Sequence, residues 1–271
     1  MKQFEGMLFC TDLDGTLYGD DKTISRENRE AIDYFKAEGG RFTFITGRVP
    51  ATSREIYRAI RPNAPYGCIN GAAIYDGEKE EYLDRLFLAE EALELVQCVD
   101  RELGDVGIQL NTEDGVYFCK DNPAMVRFRE LTGLPNLSCP LERMQKDGIK
   151  IVFGHLDGER ILTLAELLNA HPKAAGFDFI RSEKTLYEIL PKGASKGRVL
   201  RKMAELLGIS MENTVAVGDY NNDISMLRSA GIGYAVANAV DEVKRAADRI
   251  TVSNNESAIA AIVEELGRKR R

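Results

Sequence analysis

The segment MLFCTDLDGTL, residues 7–17, is the stretch from which the fold prediction starts. Met7–Thr11 is a short apolar run, which predicts a buried strand that ends in a loop. Asp12 and Asp14 follow at positions i and i+2, and Gly15 allows the backbone to turn sharply. Two convergent carboxylates repel each other unless a cation or a shared proton lies between them. Taken alone, the segment is equally compatible with an active site and with a simple turn at a strand end.

The chain around this segment alternates short strands with amphipathic helices. Ser25 is a candidate N-cap for a helix, and Arg41–Ile45 predicts a second strand. A helix is expected over residues 52–60, and the apolar pair Cys68-Ile69 marks a third short strand. This alternation is typical of a parallel α/β sheet.

The middle of the chain has a different pattern. Gly107–Leu110 and Val116–Cys119 flank a turn-forming stretch and predict a β-hairpin. Strands are also expected at Lys150–Gly154 and Leu186–Leu190, with helical segments between the hairpins. A mixture of hairpins and helices indicates an α+β module inserted into the α/β framework.

The alternating pattern resumes with a helix at Ser195–Leu207 and a strand at Thr214–Val217. The predicted fold class is therefore α/β, with a doubly wound, Rossmann-like parallel-sheet core and an inserted α+β cap domain. We place the core at residues 1–82 and 186–271 and the cap at residues 83–185.

Composition narrows the class of protein. The 271 residues include 43 acidic and 36 basic side chains, a formal net charge of -7, which disfavours a nucleic-acid binder. The basic tail at residues 267–271 is too short for a nucleic-acid arm. Five cysteines without metal-ligand spacing argue against a disulfide framework and a zinc site. No apolar run reaches the ~20 residues of a membrane span, so we expect a cytoplasmic protein without membrane contact.

Polar clusters follow the predicted strands at three further places. Thr46-Gly47-Arg48 offers a hydroxyl, a backbone N–H and a guanidinium, all of which can donate to a phosphate. Ser195-Lys196-Gly197 places a lysine at a helix start, and the segment 218–223 brings Asp219, Asn222 and Asp223. Each cluster has an ordinary structural explanation as a helix cap or a solvated surface. Their shared position at strand ends is more specific, because ligands of open α/β sheets bind there.

The set of motifs resembles the haloacid dehalogenase (HAD) superfamily, and more narrowly its Cof-type phosphatases with a large cap. The matching residues are Asp12-x-Asp14-Gly15-Thr16, Thr46-Gly47-Arg48, Asn70-Gly71-Ala72, Tyr187-Glu188-Ile189, Lys196, Gly218-Asp219-x-x-Asn222-Asp223 and Asn238-Ala239. The resemblance covers nearly the whole chain, although the cap matches only in its placement and general pattern.

The resemblance implies a magnesium-dependent phosphatase. Asp12 would be the nucleophile that becomes an aspartyl phosphate, and Asp14 the general acid and then the base. Asp12, the backbone carbonyl of Asp14 and Asp219 would bind Mg²⁺, while Asp223 would hold a metal-bound water or orient Lys196.

The phosphoryl group would be held by Thr46, Gly47, Lys196 and Asn222, and the guanidinium of Arg48 is a further candidate phosphate ligand. The expected substrate is a small phosphorylated metabolite, with a sugar phosphate as the first choice. We expect a monomer or a weak homodimer.

Two other functions remain open at this stage. A phosphomutase would use the same aspartyl phosphate and pass it to a sugar hydroxyl. A phosphoryl-accepting signalling module also combines an aspartate, Mg²⁺ and a lysine, but such modules are far shorter and leave the insert and Asp14 without a purpose.

Overall fold

The computed structural model describes residues 2–269, which form two compact units. The first unit combines the chain up to Asp84 with the chain from Ser195 onward, and the second spans Arg85–Ala194. Arg270 and Arg271, at the end of the basic tail, lie outside the described residues.

The secondary structure follows the alternation seen in the sequence. The strands, in chain order, are β1 (Leu8–Thr11), β2 (Arg41–Phe44), β3 (Tyr66–Cys68), β4 (Ala73–Asp76), β5 (Glu81–Arg85), β6 (Gly107–Asn111), β7 (Val116–Lys120), β8 (Lys150–Gly154), β9 (Phe177–Glu183), β10 (Leu186–Pro191), β11 (Thr214–Gly218), β12 (Ile232–Ala235) and β13 (Arg249–Ile250). The helices are α1 (Arg26–Ala37), α2 (Pro50–Ile60), α3 (Ala92–Glu102), α4 (Pro123–Thr132), α5 (Met144–Asp147), α6 (Gly158–Ala170), α7 (Lys196–Leu207), α8 (Ile224–Ser229), α9 (Asp241–Ala246) and α10 (Ala258–Lys269).

The first unit is built on a parallel sheet. Within residues 2–269 its strand order is β13-β12-β11-β1-β2, and every pair in it is parallel. All residues of β1 and β11 are buried, as expected for central strands of a parallel sheet that is covered on both faces. Helix α1 packs against α10, and α7 packs against α8. The predicted doubly wound α/β core is confirmed.

The order of the strands defines where a ligand can bind. From β1 the chain moves outward to β2, and after its return at β11 it moves in the opposite direction to β12 and β13. The strand order therefore reverses between β1 and β11, and the crevice at the carboxyl ends of these two strands is the expected binding position. A small three-stranded sheet has the order β3-β4-β5, and its strands β3 and β4 are antiparallel.

The second unit contains a mixed α+β module. Its sheet has the order β7-β6-β8-β10-β9 and is antiparallel throughout. The predicted hairpin is present as β6 and β7. One apolar core joins the sheet to α3 and α6, and it includes Leu95, Val99, Ile151, Phe153 and Leu164.

The predicted domain boundary places β10 with the core, whereas the structure groups it with the second unit. The reason is strand pairing, since β10 lies between β8 and β9 in the antiparallel sheet. The chain passes from the second unit to the first at Ala194 and Ser195, directly before α7.

Among residues 2–269, no helix combines the length and the apolar character required to cross a membrane.

Candidate active site

Two aspartates follow the central strands of the parallel sheet. Asp12 comes directly after β1, and its N–H donates to the carbonyl of Val217 in β11 at 3.0 Å. Asp219 comes directly after β11. The turn at Gly15 has a φ of 77°, and a Cβ there would lie 2.5 Å from Oδ2 of Asp219. A glycine at this position therefore allows the loop after β1 to approach Asp219 closely.

Lys196 reaches both sides of this crevice from the start of α7. Ser195 caps the helix by accepting a hydrogen bond from the N–H of Arg198 at 3.1 Å. The ammonium of Lys196 is buried and donates to Oδ1 of Asp12 and to Oδ1 of Asp223, each at 2.6 Å. A buried lysine that is shared by two carboxylates is fixed in position and charge.

Asp223 uses both of its carboxylate oxygens within the protein. Oδ1 accepts from Lys196, and Oδ2 accepts from the backbone N–H groups of Asp219 at 3.0 Å and Tyr220 at 3.1 Å. The side chain is completely buried. Of the two tasks suggested for Asp223 by the sequence, this geometry corresponds to the orientation of Lys196.

The electrostatics of the cluster reflect an excess of buried negative charge. Burial raises the pKa of Asp12 well above its ordinary value, and the charges of Asp223 and Asp219 add to the effect against the opposing ammonium of Lys196. Burial and the charge of Asp223 raise the pKa of Asp219 to about 6. The pKa of Lys196 is raised because the two carboxylates outweigh the effect of its burial.

The same cluster has the donor set of a site for a hard cation. Carboxylate oxygens of Asp12, Asp219 and Asp223 all lie within 4.8 Å of one another. Mg²⁺ prefers hard oxygen ligands, and a divalent cation would offset the repulsion that raises the pKa values of Asp12 and Asp219. Both carboxylate oxygens of Asp223 already accept hydrogen bonds, from Lys196 and from two backbone N–H groups, which makes Asp12 and Asp219 the first candidates for direct ligands of an ion.

The carboxylate of Asp14 contacts two cations that Asp12 does not contact. The guanidinium of Arg48 binds its carboxylate through two hydrogen bonds, Nε to Oδ2 at 2.9 Å and Nη2 to Oδ1 at 2.8 Å. The ammonium of Lys22 lies 3.6 Å from Oδ1. Partial burial raises the pKa of Asp14, but the two cations outweigh it and hold the pKa below its ordinary value. Arg48, expected as a phosphate ligand, is thus an ion-pair partner of Asp14 in this structure.

The remaining predicted phosphate ligands lie at the ends of β2 and β11. The hydroxyl of Thr46 is buried and accepts from the backbone N–H of Arg48 at 3.2 Å. The amide of Asn222 donates to Oδ1 of Asn70 at 3.1 Å. A Cβ at Gly47 would lie 2.8 Å from the same Asn70 oxygen, so the loop after β2 also approaches Asn70 closely.

Three residues without a predicted role organise the site. Thr16 donates its hydroxyl to Oδ1 of Asp219 at 2.8 Å, Asn238 donates to the carbonyl of Gly15 at 2.8 Å, and Asn70 accepts from the amide of Asn222 at 3.1 Å. All three belong to the motifs that resemble the HAD superfamily. Asn70 and Asn238 each directly follow a short apolar run, and Thr16 follows Gly15 in the turn after β1. Contacts across the sheet were needed to interpret these positions.

The described geometry is that of an α/β fold with an acidic crevice at the carboxyl ends of its central strands, in which a carboxylate cluster could hold a cation. The model of the haloacid dehalogenase-like hydrolase family matches residues 9–263, and the chain therefore belongs to this family. The predicted family is confirmed.

Similar proteins support the same class. The chain is 30% identical to the Bacillus subtilis protein named "Putative phosphatase YxeH", over 96% of this chain and 97% of the relative. It is 29% identical to the B. subtilis 5-amino-6-(5-phospho-D-ribitylamino)uracil phosphatase YcsE, over 94% of each chain.

Solved structures agree in fold. A haloacid dehalogenase-like hydrolase from Bacteroides thetaiotaomicron superposes with a TM-score of 0.83 at 26% identity, covering 96% of this chain and 99% of the other. The subclass IIB sugar phosphatase BT4131 gives a TM-score of 0.83 at 25% identity, with the same coverage. The predicted enzyme class, a phosphatase of the HAD type, is confirmed.

Proposed function

We propose that the protein is a magnesium-dependent phosphatase that hydrolyses small phosphomonoesters through an aspartyl phosphate on Asp12. A sugar phosphate or a metabolite of similar size is the proposed substrate. The observation that carries the proposal is the buried lysine bridge, in which Lys196 lies 2.6 Å from Oδ1 of Asp12 and 2.6 Å from Oδ1 of Asp223.

The lysine bridge favours Asp12 as the nucleophile. One oxygen of Asp12 is held by Lys196, which fixes the plane of the carboxylate at the carboxyl end of β1. Asp12 is almost completely buried, so few water molecules compete for its other oxygen. A carboxylate that is fixed and partly desolvated is suited to attack phosphorus in line with the leaving oxygen.

Asp12 and Asp219 would hold Mg²⁺ by their side chains, together with the backbone carbonyl of Asp14. When bound, the ion supplies positive charge to the phosphoryl oxygens and offsets the repulsion between the carboxylates.

The first chemical step forms a bond between a carboxylate oxygen of Asp12 and phosphorus and breaks the bond to the leaving oxygen. The phosphoryl oxygens would be held by Lys196, by the hydroxyl of Thr46, by the N–H of Gly47 and by the amide of Asn222. Positioning and charge neutralisation are what phosphoryl transfer chiefly requires from a protein.

Asp14 would handle the protons in both steps. It would donate a proton to the leaving alkoxide and then accept one from the water that attacks the aspartyl phosphate. The bidentate pair with Arg48 holds Asp14 in its charged form, which is the form required of the base. To act as the acid, Asp14 has to acquire a proton and weaken its contact with Arg48.

The proposal is tested by the release of inorganic phosphate from a panel of small phosphomonoesters. The protein is first treated with a chelator, and activity is measured before and after addition of Mg²⁺. We expect release from at least one sugar phosphate that depends on Mg²⁺ and is absent in Asp12→Asn. Turnover that is unchanged by the chelator, or that persists in Asp12→Asn, would overturn the proposal. A product that is an isomeric sugar phosphate instead of inorganic phosphate would favour a phosphomutase.

A further inference from the structure

Lys22 stands out among the residues near the site because its backbone is in the left-handed region. Its φ is 61°, in a turn where the N–H of Gly19 donates to the carbonyl of Thr23 at 3.0 Å and the N–H of Lys22 donates to the carbonyl of Gly19 at 2.9 Å. A residue with a Cβ is strained in this conformation, and glycine or asparagine is the usual choice.

The residues on both sides of Lys22 hold it in this strained position. The amide of Asn254 donates to Oδ1 of Asp20 at 3.0 Å, and the N–H of Asp20 donates to Oδ1 of Asn255 at 2.9 Å. On the other side, Oδ1 of Asp21 accepts from both the N–H and the hydroxyl of Thr23 at 2.9 Å. These hydrogen bonds hold the backbone of the turn, and with it the position from which the Lys22 side chain leaves the main chain.

The ion pair with Asp14 does not account for a lysine at this position. The side chains of Lys22 and Asp14 are 69% and 42% exposed, and exposed ion pairs of this kind stabilise a protein little. Arg48 already supplies Asp14 with a full positive charge and two hydrogen bonds. Strain that stability does not explain, next to a proposed active-site residue, points to a function.

The ammonium of Lys22 is available to a ligand. Its contact with Oδ1 of Asp14, at 3.6 Å, is longer than a hydrogen bond, and no other acidic side chain among residues 2–269 lies within ion-pair distance of it. The nearby carboxylate of Asp20 accepts hydrogen bonds from Asn254 and Asn255 instead. The N–H donors of Lys22 therefore face solvent beside Asp14.

We infer that Lys22 forms a subsite for a negatively charged group, a carboxylate or a second phosphate, on the leaving-group side of the substrate. The inference rests on the proposed function, because the leaving group is the part of the substrate that Asp14 would protonate. An ammonium beside Asp14 favours a substrate whose alcohol carries an anion, since their attraction is added to the binding of the phosphoryl group. The protein would thus select esters with two anionic groups.

The test compares two pairs of substrates that differ in one charged group. Glycerol 3-phosphate is compared with 3-phosphoglycerate, in which a carboxylate replaces the terminal hydroxymethyl group. Fructose 6-phosphate is compared with fructose 1,6-bisphosphate, which adds a phosphate. For each pair, the ratio of kcat/KM for the more charged ester to kcat/KM for the less charged ester is measured. We expect a ratio of about ten or more for at least one pair in the unmodified protein. A ratio of one or less in both pairs would overturn the inference.

The variants assign this preference to the charge of Lys22. We expect Lys22→Met to reduce the ratio by about tenfold, mainly through KM of the charged ester, and Lys22→Arg to retain it. Lys79→Met is the matched control, because Lys79 also makes an exposed ion pair at 3.6 Å, in its case with Glu81. An unchanged ratio in Lys22→Met, or an equal loss in Lys79→Met, would contradict the inference.

Two glycine variants test whether relief of backbone strain by itself changes the ratio. Lys22→Gly removes both the strain and the charge, and Arg61→Gly removes the strain at another basic residue with positive φ, 49°, at the end of α2. We expect neither variant to lower the thermal midpoint, and only Lys22→Gly to reduce the ratio. Loss of the ratio in both variants would indicate a general structural effect and overturn the inference.

With p-nitrophenyl phosphate as a general probe, absence of turnover in the unmodified protein would instead refute the proposed function, and with it this subsite.

Discussion

The ammonium of Lys196 lies 2.6 Å from Oδ1 of Asp12, although the two residues are separated by 184 positions in the chain. The contact joins the end of β1 to the start of α7, and both side chains are buried. It places a permanent positive charge beside the carboxylate that we propose as the nucleophile.

Removal of the charge of Lys196 should destabilise the protein. Lys196→Met leaves Asp12 and Asp223 buried without their cation, and the loss of one partner of a buried ion pair costs about 3 kcal/mol or more in the free energy of unfolding. Chemical denaturation of the chelator-treated protein measures this change. The double variant Lys196→Met, Asp223→Asn should recover part of the stability and none of the activity. Equal stability of the single and double variants would show that the two residues are not coupled.

The metal response should depend on Asp219. Mg²⁺ that binds only the folded protein raises the thermal midpoint in proportion to the logarithm of its concentration above Kd. We expect this rise in the unmodified protein and its loss or strong reduction in Asp219→Asn. Asp33→Asn is the control, because Asp33 is an exposed aspartate of α1 in the same unit that pairs with Lys36 and does not belong to the carboxylate cluster. The same midpoint rise in both variants would argue against Asp219 as a ligand.

The turn at Gly15 should be sensitive to a single methyl group. In Gly15→Ala the Cβ would lie 2.5 Å from Oδ2 of Asp219, so that carboxylate has to move. We expect kcat/KM to fall by about 100-fold or more, because phosphoryl transfer depends on positioning. Gly6→Ala provides the control, since Gly6 has nearly the same φ of 76°, but a Cβ there would have no atom within 4 Å. Steady-state kinetics should show normal activity in Gly6→Ala, and comparable losses in both would assign the effect to backbone strain.

Catalysis should depend on the geometry of the two hydrogen bonds that the guanidinium of Arg48 donates to Asp14. Lysine keeps the charge but cannot form the two parallel hydrogen bonds of the guanidinium. We therefore expect Arg48→Lys to lower kcat by about tenfold, with little change in stability because both side chains are partly exposed. Arg54→Lys is a suitable control, as Arg54 makes an exposed ion pair with Glu80. If the kinetics of Arg48→Lys equal those of the unmodified protein, the bidentate contact of Arg48 with Asp14 is not needed for catalysis.

The fold of the first unit was largely predictable because its strands are short apolar runs that end in polar residues. The loops at Asp12, Thr46 and Asp219 all follow such runs, and parallel strands place their carboxyl ends at one edge of the sheet. Local sequence pattern and one rule of topology were sufficient to predict the position of the site.

Contacts between distant segments were not predictable in the same way. The bond from Arg48 to Asp14 depends on side-chain directions that periodicity does not specify, and the assignment of Leu186–Pro191 to the second unit depends on its pairing with β8 and β9. Helix α4 was not predicted, although Asn122 followed by Pro123 is a typical helix start. The apolar residues of this segment are too few to predict a helix from their periodicity alone, and the N-cap signal was needed in addition.

The central claim is that Asp12 carries the phosphoryl group during turnover. The most direct measurement is mass spectrometry of the peptide that contains Asp12 and Asp14, after acid quenching during turnover with Mg²⁺ and borohydride reduction of any acyl phosphate. We expect Asp12 to be converted to homoserine, with Asp14 unchanged and no conversion in an Asp12→Ala control. Reduction at Asp14, or a wild-type rate of phosphate release in Asp12→Ala, would contradict this claim.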